Sequence, residues 1–367
     1  MTAAWVLVLD APSGDASRRV GGLPLALRLA LDAQAGGASA VVAAAEAPFR
    51  PVLDDPRLKL PLRSERDAGA RAVCIAANTV IHRQLLGRLA KSGELPLPPA
   101  TRALKEEPFG SHHVPFGFEP IEVVDDESAG RAERALFRAL RKPQDGWTST
   151  HLNRHVSLAI SRLLVRTPLR PNQLSVVILA VGLLGAWLAS RGGHAAIAVG
   201  ATLFQLQSIL DGCDGEMSRV TYRGSLLGEW LDTIGDDLTN YGFFAGAALG
   251  LYRDGGQLAY LVAGAITVGC GLLASGLEYR YLIRIGSGDL LKYPLSAASA
   301  SGDGSLFGRI APLFKRDTFV FVTWVLACLG VVGPMLFVFA AGAVGVLIGV
   351  LATERRLAQE RRARPER

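Results

Sequence analysis

The sequence is poor in aromatic residues, in charge and in paired cysteine, and each shortage excludes something. Aromatics make up 7% of the 367 residues, beside 50% hydrophobic residues and 41 glycines. That balance suits close-packed membrane helices better than a large soluble core. Only 20% of residues are charged. With a mean hydropathy of +0.28, this excludes collagen-like and disordered chains and predicts that part of the polypeptide sits in lipid. The four cysteines, Cys74, Cys213, Cys270 and Cys328, are scattered without metal-ligand spacing. They exclude a disulfide framework and are expected to be reduced thiols. The apolar run at 3–9 lacks a basic start and meets Asp10 early, so no signal peptide is expected. No terminal lipidation motif is visible either. The net charge of +6 falls largely in loops and the tail, which points to membrane topology and away from nucleic acid.

Two halves differ in their expected solvent. Up to about residue 147 the pattern is α/β. Apolar runs at 5–9, 38–45 and 72–77 suit buried strands, and periodic stretches at 24–34, 80–91 and 133–141 suit helices. Such alternation predicts a parallel sheet with helices on its faces. Residues 95–120 are Pro-rich and irregular, and 142–146 read as a linker. An amphipathic helix is predicted at 151–165, suited to the membrane interface. Six apolar spans follow, at 174–190, 195–211, 226–251, 258–277, 318–333 and 335–352. Arg280, Arg284, Lys292, Arg309, Lys315 and Arg316 flank one side, as do the arginines of 355–367. By the positive-inside rule the soluble half, the 211–225 and 278–317 loops and the tail are expected to be cytoplasmic. The predicted domains are 1–141, a linker with interfacial helix at 142–170, a membrane domain at 171–353 and a basic tail at 354–367.

Carboxylates stand where a membrane helix should have none. Asp211 and Asp214 are three residues apart, and Asp232 and Asp236 four apart, so each pair shares one helix face. Ionisable groups at membrane depth are costly and mark function by default. Four carboxylates converging from two helices need a cation, and an all-oxygen set suits Mg2+ or Mn2+. Gly212 and Gly215 permit close backbone approach, and Arg219 offers a guanidinium suited to phosphate. Taken without further context, the same carboxylates also fit a structural polar network or the pathway of a transporter.

The full run is Asp211-Gly212-Cys213-Asp214-Gly215-Glu216-Met217-Ser218-Arg219, then eight residues, then Gly228, Asp232 and Asp236 at four-residue intervals. It resembles the signature of the CDP-alcohol phosphotransferase (CDP-alcohol phosphatidyltransferase) family, D-x2-D-G-x2-A-R, a spacer, then G-x3-D-x3-D. Ser218 departs from the family's usual Ala. The resemblance covers about 147–352, including Pro171 and Asn172. It implies a six-helix membrane enzyme, usually dimeric, that moves a phospho-substituent from a CDP-alcohol to a hydroxyl and releases CMP. By that likeness two divalent ions, Mg2+ or Mn2+, are held by Asp211, Asp214, Asp232 and Asp236. Asp236 is the expected general base, and Asn172, Gly215, Ser218 and Arg219 are expected at the nucleotide. Arg154, Arg280, Arg284 and Arg316 are the candidates for the acceptor. Glu229 and Asp237 fall outside the pattern and receive no role.

The N-terminal half carries a second resemblance. The run Val20-Gly21-Gly22-Leu23-Pro24-Leu25, followed by a helix and a strand, is similar to the stretch after the nucleotide loop of nucleotidyltransferases. Fusion of a Rossmann-like, cytidylyltransferase-type domain to this membrane domain belongs to the di-inositol-phosphate-phosphate-synthase-like branch. Lys142-Pro143-Gln144-Asp145-Gly146, Asn153-Arg154 and Lys315-Arg316-Asp317 also resemble that branch. Residues 11–19 are too few for a Gly-rich triphosphate loop with its lysine. Ala77-Asn78 stands where a metal-binding Asp is expected. A degenerate domain without cytidylyltransferase activity is therefore expected, serving as scaffold, dimer contact or aid to acceptor positioning. The donor is expected to be CDP-diacylglycerol or a CDP-polyol, and the favoured acceptor is inositol phosphate or a similar polyol phosphate. Membrane lipid and a second copy of the chain complete the expected partners. A bifunctional enzyme that makes its own CDP-alcohol, a carboxylate-dependent transporter and a non-catalytic membrane module are the competing readings.

Overall fold

The computed structural model describes residues 5–66, 71–92, 119–141, 147–300 and 316–363. Most of the Pro-rich stretch 95–120, the linker 142–146, and Arg309 and Lys315 lie outside them. Two compact units emerge. The first comprises Met1–Arg141, Arg162–Pro168 and Glu216–Arg223, and the second Lys142–Ser161, Leu169–Gly215 and Gly224–Arg367.

In the first unit, β1 (Trp5–Asp10), β4 (Ala40–Val42), β5 (Leu62–Arg63) and β6 (Arg71–Ala76) form a parallel sheet in the order β5-β4-β1-β6. Short antiparallel pairs join β2 (Arg19–Val20) to β3 (Leu23–Pro24), and β7 (Thr79–Val80) to β8 (Ile121–Glu122). The register sets Leu7 against both Val41 and Val73, all three fully buried. A continuous apolar run is what a strand covered on both faces requires. Helix α1 (Leu25–Ala35) buries nine of its eleven residues, so tertiary packing rather than a polar face secures it. Helix α2 (Arg83–Ser92) follows β7. Helix α3 (Asp126–Arg138) starts earlier than the predicted 133. Its start is set by the Asp125 carboxylate, which accepts the Ser128 N–H at 2.8 Å, an N-cap signal that apolar periodicity does not carry.

Two features of this unit bear on its chemistry. Asn78 follows β6, fully buried, and its Nδ2 donates to Ser13 Oγ at 3.2 Å and to Val123 O at 3.0 Å. Gly14 is packed so closely that a Cβ there would lie 2.8 Å from Val123 O. The loop after β1 is thus stitched down. On α1, Arg28 is buried and donates through Nη2 to the carbonyls of Val20, Gly21 and Val220 at 3.0–3.1 Å. Asp32, one turn later, accepts the Tyr222 hydroxyl. Burial pushes the Asp32 carboxyl up to about 6, against the opposing pull of Arg28.

The second unit is helical. It contains α4 (Arg154–Leu164), whose last residues belong to the first unit, α5 (Pro171–Ala189) and α6 (His194–Thr221). Then come α7 (Leu226–Gly255), α8 (Leu258–Ile285), α9 (Pro294–Ala300), α10 (Arg316–Cys328) and α11 (Gly333–Ala363). Pro171 opens α5, where a missing N–H costs nothing. Ser225 caps α7 by accepting the Gly228 N–H at 3.0 Å. Small residues let backbones meet: a Cβ on Gly185 would stand 2.7 Å from Gly200 O. Outward-facing Val176, Val177, Trp187, Leu272, Leu273 and Ile348 are more than half exposed, an apolar surface that water does not favour.

Among the described residues, four helices are long and apolar enough to cross a membrane: Pro171–Ala189, His194–Thr221, Leu258–Ile285 and Gly333–Glu360. The sequence predicts six spans. The remaining two correspond to α7, which carries Glu229, Asp232, Asp236 and Asp237, and to α10, which has 13 residues. The predicted interfacial helix begins as a π-turn at Ser149–Asn153 before α4, with Arg154, Ser157, Leu158 and Ser161 buried. The last span was expected to end at 352. Helix α11 instead continues through the charged tail to Ala363, because the 353–363 stretch is rich in residues that favour helix in water.

Candidate active site

The four aspartates arise from two helices of the second unit. Asp211 and Asp214 lie on α6, and Asp232 and Asp236 one turn apart on α7. The glycines of the motif are there for close approach. A Cβ at Gly212 would press on Ser157 of α4 at 3.2–3.3 Å, and one at Gly228 would lie 2.9 Å from Asn172 Oδ1. Asn172, in the first turn of α5, also donates to Ser225 Oγ at 3.3 Å. Cys213 is fully buried against the Ser157 carbonyl, with Sγ to O at 3.5 Å, so it packs inward between its two acidic neighbours.

Arg316 draws the helices together. From the first residue of α10, its Nη1 stands 3.2 Å from Asp211 Oδ2 and 2.9 Å from Asp236 Oδ1. Its Nη2 donates to Gln207 Oε1 at 2.9 Å and its Nε to Asn240 Oδ1 at 3.3 Å. The partners are one helical turn apart on each side, Gln207 with Asp211 and Asp236 with Asn240, so one planar guanidinium spans two helix faces. Asp214 is held separately, accepting the hydroxyl of buried Ser175 and the Gly215 N–H, the latter at 2.6 Å. Glu229 is used structurally, accepting from Ser287 Oγ and the Gly288 N–H, both at 2.9 Å. Asp237 accepts from Ser275 Oγ at 2.5 Å and the Tyr279 hydroxyl at 2.6 Å.

These groups border a cavity of about 960 Å3 within the second unit. Asp211, Asp236, Asp237, Arg154 and Arg316 lie at its polar end, and Phe244, Met335, Val338, Phe339 and Val346 form an apolar wall. Arg154, 8% exposed, reaches it from α4. Arg280 and Arg284 are placed elsewhere. They line a smaller hollow of about 360 Å3 with Arg355, where Arg280 pairs with Glu354 at 2.8 Å. Ser218 and Arg219 follow on α6 in the stretch Glu216–Arg223, which packs with the first unit. Ser175, Gln207 and Asn240 escaped the sequence reading. Gln207 and Asn240 do carry one local signal, polar residues a turn from a motif aspartate on an otherwise apolar helix.

The carboxylates fit a hard divalent ion in chemistry: every donor is an anionic oxygen, and two of them already converge on one cation, the Arg316 guanidinium. Among the described residues, no three His, Cys, Asp or Glu side chains already form a closed ligand cage.

Comparison with known proteins places this site in a family. Residues 169–351, which include all four aspartates and Arg316, match the profile of the CDP-alcohol phosphatidyltransferases. Residues 169–351 are a CDP-alcohol phosphatidyltransferase domain. Over its C-terminal region the chain is similar to curated proteins named bifunctional IPC transferase and DIPP synthase. The one from Thermococcus kodakarensis is 38% identical over 125 residues, 34% of this chain and 28% of that protein. The one from Rubrobacter xylanophilus is 40% identical over 128 residues, 34% of this chain and 28% of that protein. The one from Archaeoglobus fulgidus is 36% identical over 150 residues, 40% and 29% of the two lengths. The chain thus spans under a third of the length of these relatives. Among solved structures, it resembles the phosphatidylinositol phosphate synthase of Mycobacterium tuberculosis with CDP-DAG bound. That likeness has a TM-score of 0.40 and 19% identity, and covers 54% of this chain and 93% of the other.

Proposed function

We propose that the chain is an integral membrane, divalent-metal-dependent CDP-alcohol phosphotransferase. In this reading it transfers a phosphatidyl-type group from a lipid CDP-alcohol to a hydroxyl of inositol phosphate or a similar polyol phosphate. The observation that carries the reading is the convergence of motif aspartates from α6 and α7 on one cavity inside a CDP-alcohol phosphatidyltransferase domain. The apolar wall of Met335, Val338, Phe339 and Val346 supports a donor bearing hydrocarbon, of the CDP-diacylglycerol class, over a CDP-polyol. The arginines at the polar end, Arg154 and Arg316, support an acceptor that carries phosphate. Arg280 and Arg284, in their separate hollow, are assigned to the approach of anionic substrates instead of the reacting centre.

Asp211, Asp214, Asp232 and Asp236 would hold two ions, Mg2+ or Mn2+. When bound, these would neutralise the diphosphate and align an in-line displacement. The chain's own groups do the rest. Asp236 takes the proton of the acceptor hydroxyl, the acceptor oxygen bonds to the β-phosphorus, and the bond to CMP breaks with its electron pair leaving on CMP. Asn172, Gly215, Ser218 and Arg219 are assigned to the nucleotide.

The reading extends to architecture. α5, α6, α7, α8, α10 and α11 are taken as six crossings, with the first unit, the site and the tail on the cytoplasmic side and a homodimer as the working form. The domain divisions at 141, 170 and 353 follow the same reading. The parallel order β5-β4-β1-β6 supports reading the first unit as Rossmann-like. The burial of Asn78 against Ser13 and Val123 supports a domain that has lost nucleotidyl transfer.

The test is CMP release by detergent-purified full-length protein with Mg2+ or Mn2+. CDP-diacylglycerol or CDP-inositol serves as donor, and inositol phosphate, inositol or glycerol phosphate as acceptor. Release that needs donor, acceptor and metal, and is lost in Asp236→Asn, is expected. Metal-dependent substrate flux without CMP would overturn the reading in favour of transport.

A further inference from the structure

Glu278, on α8, lines the same cavity and has no part in the chemistry above. Its residue surface is 8% exposed, and among the described residues it makes neither a hydrogen bond nor an ion pair. A buried carboxylate without donors is strongly disfavoured unless something else supplies them. What surrounds it is a set of hydroxyls. Ser275 lies three residues earlier on α8 and Tyr279 directly follows Glu278. Both donate to Asp237 of α7, and the Tyr241 hydroxyl meets Ser275 Oγ at 2.9 Å. Ser275, Tyr241 and Asp237 line the cavity together with Glu278 and the proposed base Asp236.

We propose that Glu278 is a specificity-determining residue for the acceptor, receiving hydrogen bonds from hydroxyls of a polyol while a different hydroxyl of the same molecule faces Asp236. The inference rests on the transferase reading and deepens it by assigning the site's polyol recognition. A carboxylate accepts two or more O–H donors side by side, which matches neighbouring hydroxyls on one carbon skeleton. The protons of the adjoining Ser275 and Tyr241 hydroxyls are engaged, Ser275 on Asp237 and Tyr241 on Ser275, so their lone pairs extend the acceptor surface offered to polyol O–H groups. Asp237, the other acid nearby, already has two donors and leaves Glu278 as the open acceptor. Arg154 and Arg316 give the phosphate end of such an acceptor its counter-charge on the same cavity. A site built to bind a hydroxyl rejects an analogue that lacks it far more strongly than an apolar site rejects an extra group.

The experiment measures binding and turnover separately on full-length protein in detergent. Equilibrium dialysis with labelled inositol phosphate, its single-deoxy analogues, serine and ethanolamine is run on wild type, Glu278→Gln and Glu278→Asp. The Gln variant is expected to bind inositol phosphate about tenfold more weakly or worse, as for a lost hydrogen bond to a charged group. CDP-diacylglycerol binding should be retained in the same sample, which also shows that the variant is folded. The Asp variant should recover part of the loss. One deoxy analogue should bind wild type as weakly as the parent binds Glu278→Gln, and the variant should no longer distinguish the two. In turnover the loss should fall on the acceptor KM more than on kcat.

Equal inositol phosphate binding by wild type and Glu278→Gln would overturn the inference. So would Glu278-dependent binding of serine or ethanolamine in place of the polyol, or no polyol binding by wild type. If Glu278→Gln fails to fold, a flat wild-type response across all deoxy analogues refutes the inference by itself. Glu278-dependent binding without any CMP release would sink the transferase reading alone. CMP release with Glu278-independent binding would sink this inference alone.

Discussion

Replacing Arg316 by Met should make the stability of the protein depend on the divalent ion. In the structure one guanidinium neutralises Asp211 and Asp236 from 3.2 and 2.9 Å, with side-chain exposures of 22% for Arg316, 23% for Asp211 and 27% for Asp236. Removing one partner of a buried charge pair costs about 3–5 kcal/mol, mostly because the other charge is left without compensation. These groups are partly wet, so the lower end, about 3 kcal/mol, is appropriate. Met keeps the length and the apolar stem but none of the four polar contacts. With chelator present, Arg316→Met is expected to unfold about 6–12 °C below wild type. Added Mg2+ or Mn2+ should stabilise the variant more than wild type, because the ion finds Asp211 and Asp236 free of a competing cation. The assay is thermal unfolding of detergent-purified full-length protein followed by intrinsic fluorescence, across a metal titration. Equal melting of the two proteins in chelator would refute the electrostatic reasoning. An identical metal-induced shift in both would refute the idea that Arg316 and the ion share carboxylates.

Three further outcomes are expected. Asp236→Asn should lower acceptor-dependent CMP release by about 10²–10⁴-fold with little change in thermal stability in chelator, since Asn can still accept from Arg316; release at the wild-type rate would remove Asp236 as base. Asp32 carries a pH dependence. Its folded value of about 6 lies above the ordinary 3.8, so the native state holds the proton more tightly, and stability present below about pH 4 is lost as pH rises through 6. Two units correspond to about 3 kcal/mol. Asp32→Asn should flatten that slope in hydrogen exchange of α1 amides, corrected for intrinsic rates, between pH 4 and 7; parallel profiles would contradict it. Gly200→Ala should destabilise the second unit by at least about 1–3 kcal/mol through overpacking, because its Cβ would lie 2.9 Å from Ala189 N and 2.5 Å from Gly185 O; an unchanged melting temperature would show that α5 and α6 can part without cost.

Sequence alone determined what helix and strand geometry determines locally. Three- and four-residue spacing puts Asp211 with Asp214 and Asp232 with Asp236 on shared faces whatever else the chain does. The carboxylate chemistry follows from residue type, and the apolar runs around Leu7, Val41 and Val73 name the parallel sheet because only doubly covered strands are apolar throughout. Tertiary structure decided the partners. Arg316 stands 105 residues from Asp211, and its charge and helix-end position do not by themselves separate it from Arg280 and Arg284, which line a different hollow. Ser175 reaches Asp214 from α5, and Gln207 and Asn240 become guanidinium ligands only when α6, α7 and α10 meet. Glu278 is an ordinary acid in an apolar helix until packing turns it to the cavity and supplies no donor from the described residues. A helix's own periodicity is fixed by covalent geometry over a few residues. Which faces of distant helices meet is fixed by close packing of many small contacts, and no single residue encodes it.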